Sequence, residues 1–159
     1  MDDILDADVR IGHVHLKVSD LERALSFYRD ILGFSVTATL PGAVFVSAGG
    51  YHHHIGLNTW ESANGSRPAR SDTGLYHVAI LFPNRKSLAK AVKRLIEHNY
   101  PLTGASDYGV SEAIYLDDPD GNGIELYVDR PKDEWPVRDG KIVFTSQPLD
   151  IDALLSEAK

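Results

Sequence analysis

The chain has 159 residues and a formal net charge of -7, enough length for one packed domain or two small joined halves. It carries no cysteine, so disulfides and thiolate metal sites are excluded and any metal must sit on His, Asp or Glu. The acidic balance argues against a nucleic-acid surface, and no apolar run nears the roughly 20 residues of a membrane helix. The start, Met1-Asp2-Asp3-Ile4-Leu5-Asp6, lacks the basic and apolar stretches of a signal peptide, so a cytoplasmic protein is expected.

After a loose acidic lead-in, Val9 to Val18 reads as a strand. Period two puts His13, His15 and Lys17 on one face and Val14, Leu16 and Val18 on the other. Ser19 with Glu22 forms a capping box that opens a helix. Leu21, Ala24, Leu25, Tyr28, Ile31 and Leu32 make its apolar stripe, and Gly33 stops it. Three strands follow: Phe34 to Leu40, Ala43 to Ala48, and His52 to Trp60. Glu61 to Thr73 is rich in Ser, Gly, Asn, Pro and Arg and reads as an exposed linker.

A second copy of the same order begins at Gly74. Its first strand runs to Phe82, and Pro83-Asn84 opens a helix with Leu88, Ala91, Val92, Leu95 and Ile96 as its stripe. His98-Asn99 ends that helix, where a cation is favoured, and Pro101 forbids continuation. Strands are expected at Leu102 to Tyr108, Glu112 to Leu116 and Ile124 to Val128, the last two joined by the turn Asp117 to Gly123. The remaining tail holds a short strand at Lys141 to Thr145 and a helix from about Asp150. The fold class is therefore α+β: two tandem βαβββ modules whose curved mixed sheets enclose a metal-binding cleft. Module one spans about 9–60, the linker 61–73, module two about 74–129 and a C-terminal extension 130–159, all within a single domain.

His13 and His77 stand at matching places in the two copies, each before a Val that begins an alternating run. Glu125, between Ile124 and Leu126, points away from their face and toward the cleft. Two imidazoles and one carboxylate make a set that leaves open positions on a six-coordinate metal and suits Fe(II), with Mn(II) close behind. The plainer alternative is two strand histidines bonded to backbone and a Glu125 paired with Lys17 or an Arg. The acidic run at Asp117, Asp118 and Asp120 lacks the spaced ligands of a calcium loop and reads as a turn.

The runs His13-Val14-His15-Leu16-Lys17-Val18-Ser19-Asp20-Leu21, Phe27-Tyr28, Leu32-Gly33-Phe34, Asp118-Pro119-Asp120-Gly121-Asn122 and Ile124-Glu125-Leu126 resemble the vicinal oxygen chelate superfamily. That superfamily includes glyoxalase I, fosfomycin-resistance proteins, bleomycin-binding proteins and extradiol dioxygenases. The resemblance spans about residues 10 to 130 and looks closest to catechol 2,3-dioxygenase-like proteins. It implies a divalent metal, Fe(II) first and Mn(II), Zn(II), Ni(II) or Co(II) next, on His13, His77 and Glu125. It further implies His54 as an acid/base and Tyr115, ten residues before Glu125, as a hydrogen-bond donor to substrate. Alternation from Gly56 puts His54 and His52 toward the cleft and His53 away from it. Gly56 stands where glyoxalase I supplies a fourth ligand, which favours a three-ligand site.

The resemblance thus implies an oxidoreductase that cleaves a catecholic ring with dioxygen, acting on a small aromatic diol and forming a homodimer. Two alternatives stay open. One is a glyoxalase-like isomerase, epimerase or lyase with another divalent metal. The other is a metal-free, resistance-type binding protein.

Overall fold

A computed structural model describes residues 4–159; the first three residues of the acidic lead-in lie outside the described residues. Two four-stranded mixed sheets carry the chain. The first holds β1 (Val14–Lys17), β2 (Ser35–Leu40), β3 (Ala43–Ser47) and β4 (Ile55–Asn58) in the order β1-β4-β3-β2. The second holds β5 (Val78–Phe82), β6 (Gly104–Asp107), β7 (Ser111–Asp117) and β8 (Gly123–Asp129) in the order β5-β8-β7-β6. In each sheet the first strand runs parallel to the last and the other pairs are antiparallel. The expected α+β pair of βαβββ units is what forms.

Helix α1 begins as an α-helix, Leu21–Leu25, and widens into π-helical turns, Ser26–Ile31. The looser winding accommodates two consecutive, fully buried rings, Phe27 and Tyr28. Helix α2 (Arg85–Glu97) keeps ordinary winding, with Leu88, Ala91, Val92 and Leu95 buried along one stripe. Both helices cover the apolar faces of their sheets. Leu16, Val46, Ile55 and Leu57 from the first sheet and Ile114, Leu116, Ile124 and Leu126 from the second join them in one continuous core. The opposite faces turn outward: His13, His15 and Lys17 are exposed, as are Ala79 and Leu81.

The turn between β7 and β8 locks the modules together. Asp118, almost fully buried, accepts from the Tyr28 hydroxyl at 2.8 Å and from the backbone N–H of Asp120 and Asn122. The backbone N–H of Ser19 donates to Asp120 at 3.2 Å. Across the helices, Arg94 donates to the carbonyls of Ile31 and Leu32 at 3.0 and 2.6 Å, and the Phe27 and Tyr100 rings lie 4.8 Å apart.

Several local expectations change. The cap of α1 is Asp20, not Ser19: Asp20 accepts from Arg23 N–H at 2.7 Å, while the Ser19 hydroxyl accepts from the Arg23 guanidinium at 3.1 Å. The strand expected over Val9 to Val18 is confined to β1, and that expected over His52 to Trp60 to β4. Residues 51–54 bend instead, and the carbonyl of His52 is taken by the Thr37 hydroxyl at 2.7 Å. In the tail, the expected strand shortens to β10 (Lys141–Ile142), paired with β9 (Val137–Arg138). Gln147 bridges to Asp107 of β6, and the helix expected from Asp150 is α3 (Ile151–Ser156), capped by that residue.

Candidate functional site

Alternation along β8 buries Ile124, Leu126 and Val128 against α2 and turns Glu125 to the outward face. Ala79 of β5 and Tyr115 of β7 stand opposite Glu125 on either side. His77 immediately precedes β5, and its Nε2 lies 2.9 Å from Glu125 Oε2. The other carboxylate oxygen, Oε1, lies 3.3 Å from the Tyr115 hydroxyl. Tyr115 also meets the Tyr108 hydroxyl at 2.8 Å. One phenol has one proton, so Tyr115 donates to Tyr108 or to Glu125 but not to both at once. Burial first, then the bond to Tyr108 and the charge of Glu125, push the Tyr115 phenol far up, and it stays protonated at neutral pH.

The module-one residues form a separate group. His15 lies across β4 directly opposite Gly56, and its Nε2 is 2.9 Å from the Asn58 amide nitrogen. A Cβ at Gly56 would stand 3.0 Å from the His15 ring, so the glycine is what lets that imidazole lie down. His54 Nδ1 accepts from the Ala48 backbone N–H at 3.2 Å and lies 3.0 Å from the Ser47 hydroxyl. In the neutral ring the proton therefore sits on Nε2. The His53 ring lies 4.3 Å from that of His13 and 5.1 Å from Phe45, on the face that alternation assigned away from it. Alternation fails here because residues 51–54 are a bend, not strand. Partial desolvation, then the neighbouring imidazoles of His13 and His52, lower the His53 pKa.

The structure thus joins His77, Glu125 and Tyr115, and keeps His54 and His13 on the other module. Among the described residues no three His, Asp or Glu side chains converge as a metal-holding group. The donor chemistry nonetheless fits a divalent ion. Two ligand atoms that each stand about 2.1 Å from one metal at a right angle are about 3 Å apart, which is the separation His77 and Glu125 already have. Tyr108 was not singled out from sequence, and His53 was read as facing away from the cleft. A hairpin between β6 and β7 that brings Tyr108 back onto Tyr115 was the available signal for the first; the bend hid the second.

Comparison with known proteins follows the same lines. A family model described as the glyoxalase/bleomycin resistance protein/dioxygenase superfamily matches residues 10–126. A catechol-2,3-dioxygenase of Bacillus subtilis (strain 168) is 46% identical over 152 residues, which is 95% of this chain and 53% of that protein. A biphenyl-2,3-diol 1,2-dioxygenase of Rhodococcus globerulus is 30% identical over 76% of this chain and 63% of its own length. The chain thus spans between half and two thirds of these relatives. Among solved structures, a lactoylglutathione lyase from Agrobacterium tumefaciens superposes with a TM-score of 0.60 at 23% identity, covering 77% of this chain and 96% of that one, a likeness of fold. With the doubled βαβββ pattern and a family match across most of its length, the chain belongs to the glyoxalase/bleomycin resistance protein/dioxygenase superfamily.

Proposed function

We propose that His77 and Glu125, completed by His13, hold a divalent metal, Fe(II) in the first place, at the centre of an extradiol-type oxidoreductase site for a catecholic substrate and dioxygen. The observation that carries this reading is the contact of His77 with one oxygen of Glu125 while Tyr115 holds the other. The similarity to a catechol-2,3-dioxygenase over nearly the whole chain supports the reaction class.

When bound, such an ion would bring a diol and dioxygen together and spread the charge that develops between them. The protein's own groups do the rest. Glu125 is aimed by Tyr115, so its second oxygen is free to face His77. Tyr115, kept protonated, stands beside the carboxylate, and its one proton would reach a substrate oxygen only by leaving Glu125 or Tyr108. His54 presents an Nε2 proton because its Nδ1 is committed to Ala48 and Ser47. As a neutral ring it donates a hydrogen bond from Nε2 toward substrate, and it serves as the acid/base only by gaining a second proton first.

The test is metal analysis of protein purified without oxygen, followed by oxygen uptake with catechol. Bound iron with uptake supports the reading. Metal without uptake favours an isomerase or lyase, and no metal in a folded protein favours a binding protein.

A further inference from the structure

We propose that Tyr108 is a positioning residue for the metal site and that the C-terminal extension holds it in place. This rests on the metal reading above and goes beyond it by giving the extension a part in the site. Glu125 is reached by two phenols in series. The Tyr115 hydroxyl lies 3.3 Å from Glu125 Oε1, and the Tyr108 hydroxyl lies 2.8 Å from that of Tyr115. Of the two acceptors that Tyr115 can reach, the carboxylate is the stronger. With Tyr115 donating to Glu125, the remaining bond forms only if Tyr108 donates to Tyr115, and a chain of that sense strengthens each of its links. The reverse sense turns the lone pairs of Tyr115 toward a charged oxygen. The Tyr108 hydroxyl therefore sets which way the Tyr115 proton points, and it acts on Glu125 through Tyr115.

Tyr108 directly follows β6, in the turn to β7. A turn is ordinarily the most mobile part of a hairpin, and here the extension clamps it. The Tyr108 carbonyl accepts from the Thr145 N–H at 3.0 Å, and its own N–H donates to the Ser111 carbonyl at 2.9 Å. One residue earlier, Asp107 and Gln147 exchange both backbone hydrogen bonds, at 2.8 and 2.9 Å. One residue later, Gly109 adopts a φ of 76° and donates to the Asp107 carboxylate at 2.9 Å. A Cβ at Gly109 would stand 2.8 Å from the Pro136 ring and 2.8 Å from the Thr145 hydroxyl, so the glycine is what lets the extension close onto the turn.

The same arrangement serves a substrate. Tyr115 can turn its proton from Glu125 to a substrate oxygen while Tyr108 goes on donating to it, so the phenol keeps its place as its proton changes acceptor.

The test is a double-mutant cycle on the Mn(II) affinity of the full chain, read by electron paramagnetic resonance, with circular dichroism to show that each variant is folded. Tyr115→Phe is expected to weaken Mn(II) binding by about 10-fold, the scale of a lost partner to a ligating carboxylate. Tyr108→Phe keeps the ring and removes only the hydroxyl. It is expected to weaken binding by about 3-fold with Tyr115 present and to change nothing in the Tyr115→Phe background, because its effect runs through that hydroxyl. A merely structural loss would appear in both backgrounds. Gly109→Ala disturbs the seat from the side of the turn, and Thr145→Pro removes the N–H that the extension donates. Both are expected to follow Tyr108→Phe in each background, and Thr145→Pro alone decides if Gly109→Ala does not fold. Tyr108→Phe at wild-type affinity, or equally weakened with and without the Tyr115 hydroxyl, overturns the positioning role. Thr145→Pro at wild-type affinity overturns the part given to the extension. In both cases wild type still binds Mn(II), and the metal reading stands. Wild type that binds no Mn(II) overturns the metal reading, and this inference with it.

Discussion

Which nitrogen of His54 is committed decides what that residue can do. Its Nδ1 accepts from a backbone N–H, so the neutral ring offers Nε2–H as a hydrogen-bond donor. His54→Ala is expected to retain metal but to lose turnover by about 100-fold or more, the scale of a lost acid/base; metal content and single-turnover rates measured together check this. Gly56 has an equally local logic. Gly56→Ala brings a methyl against the His15 ring, and a cost of about 1–3 kcal/mol is expected from such overpacking, read as a shift in urea midpoint. From sequence, Gly56 stood out only for lacking a ligand; its role as room for His15 depends on the β1–β4 register. The direction of Glu125 was legible because period two holds through an uninterrupted β8. His53 was not, because alternation cannot be counted through a bend.

Among the elements, the tail is fastened to the second sheet by charge. Arg130 pairs with Asp107 of β6 and Glu112 of β7, while Arg85 at the start of α2 pairs with Glu112 and with Glu157 just after α3. The Arg130 guanidinium, more than offsetting partial burial, holds the Asp107 carboxyl below its ordinary value, with help from the Gly109 N–H. A folded-state pKa lower than the unfolded one stabilises above the unfolded value, and that contribution is lost as pH falls through the folded pKa. Between those two values the unfolded chain binds more protons, so stability there rises with pH. Thermal melts across the acid range are expected to show a shallower acid slope for Asp107→Asn than for wild type; parallel slopes would remove Asp107 from the acid response. The helices and strands of this layer were readable from apolar period and turn residues. The π-helical widening of α1 was not, because its apolar stripe fits ordinary winding and only the burial of both Phe27 and Tyr28 distinguishes the two.

For the whole molecule, the doubled motif announced two sheets, and the residues of the expected metal set were visible at their repeat positions. How the two modules sit was not, since the contacts that decide it join residues far apart in the chain. Tyr28 and Asp118 are the chief pair. That one contact has a consequence for cooperativity. Asp118 draws its hydrogen bonds from both modules, so separating them strips a partner from a buried carboxylate. The halves are therefore expected to unfold together, in one guanidinium transition seen alike by circular dichroism and tyrosine fluorescence. Tyr28→Phe is expected to lower stability by about 1–3 kcal/mol, the cost of an unmade buried hydrogen bond. Two separated transitions in wild type would mean that the modules fold as independent units. If they melt as one, the seam at Asp118 makes two repeats into a single cooperative body, and a break anywhere along it is felt at both sheets.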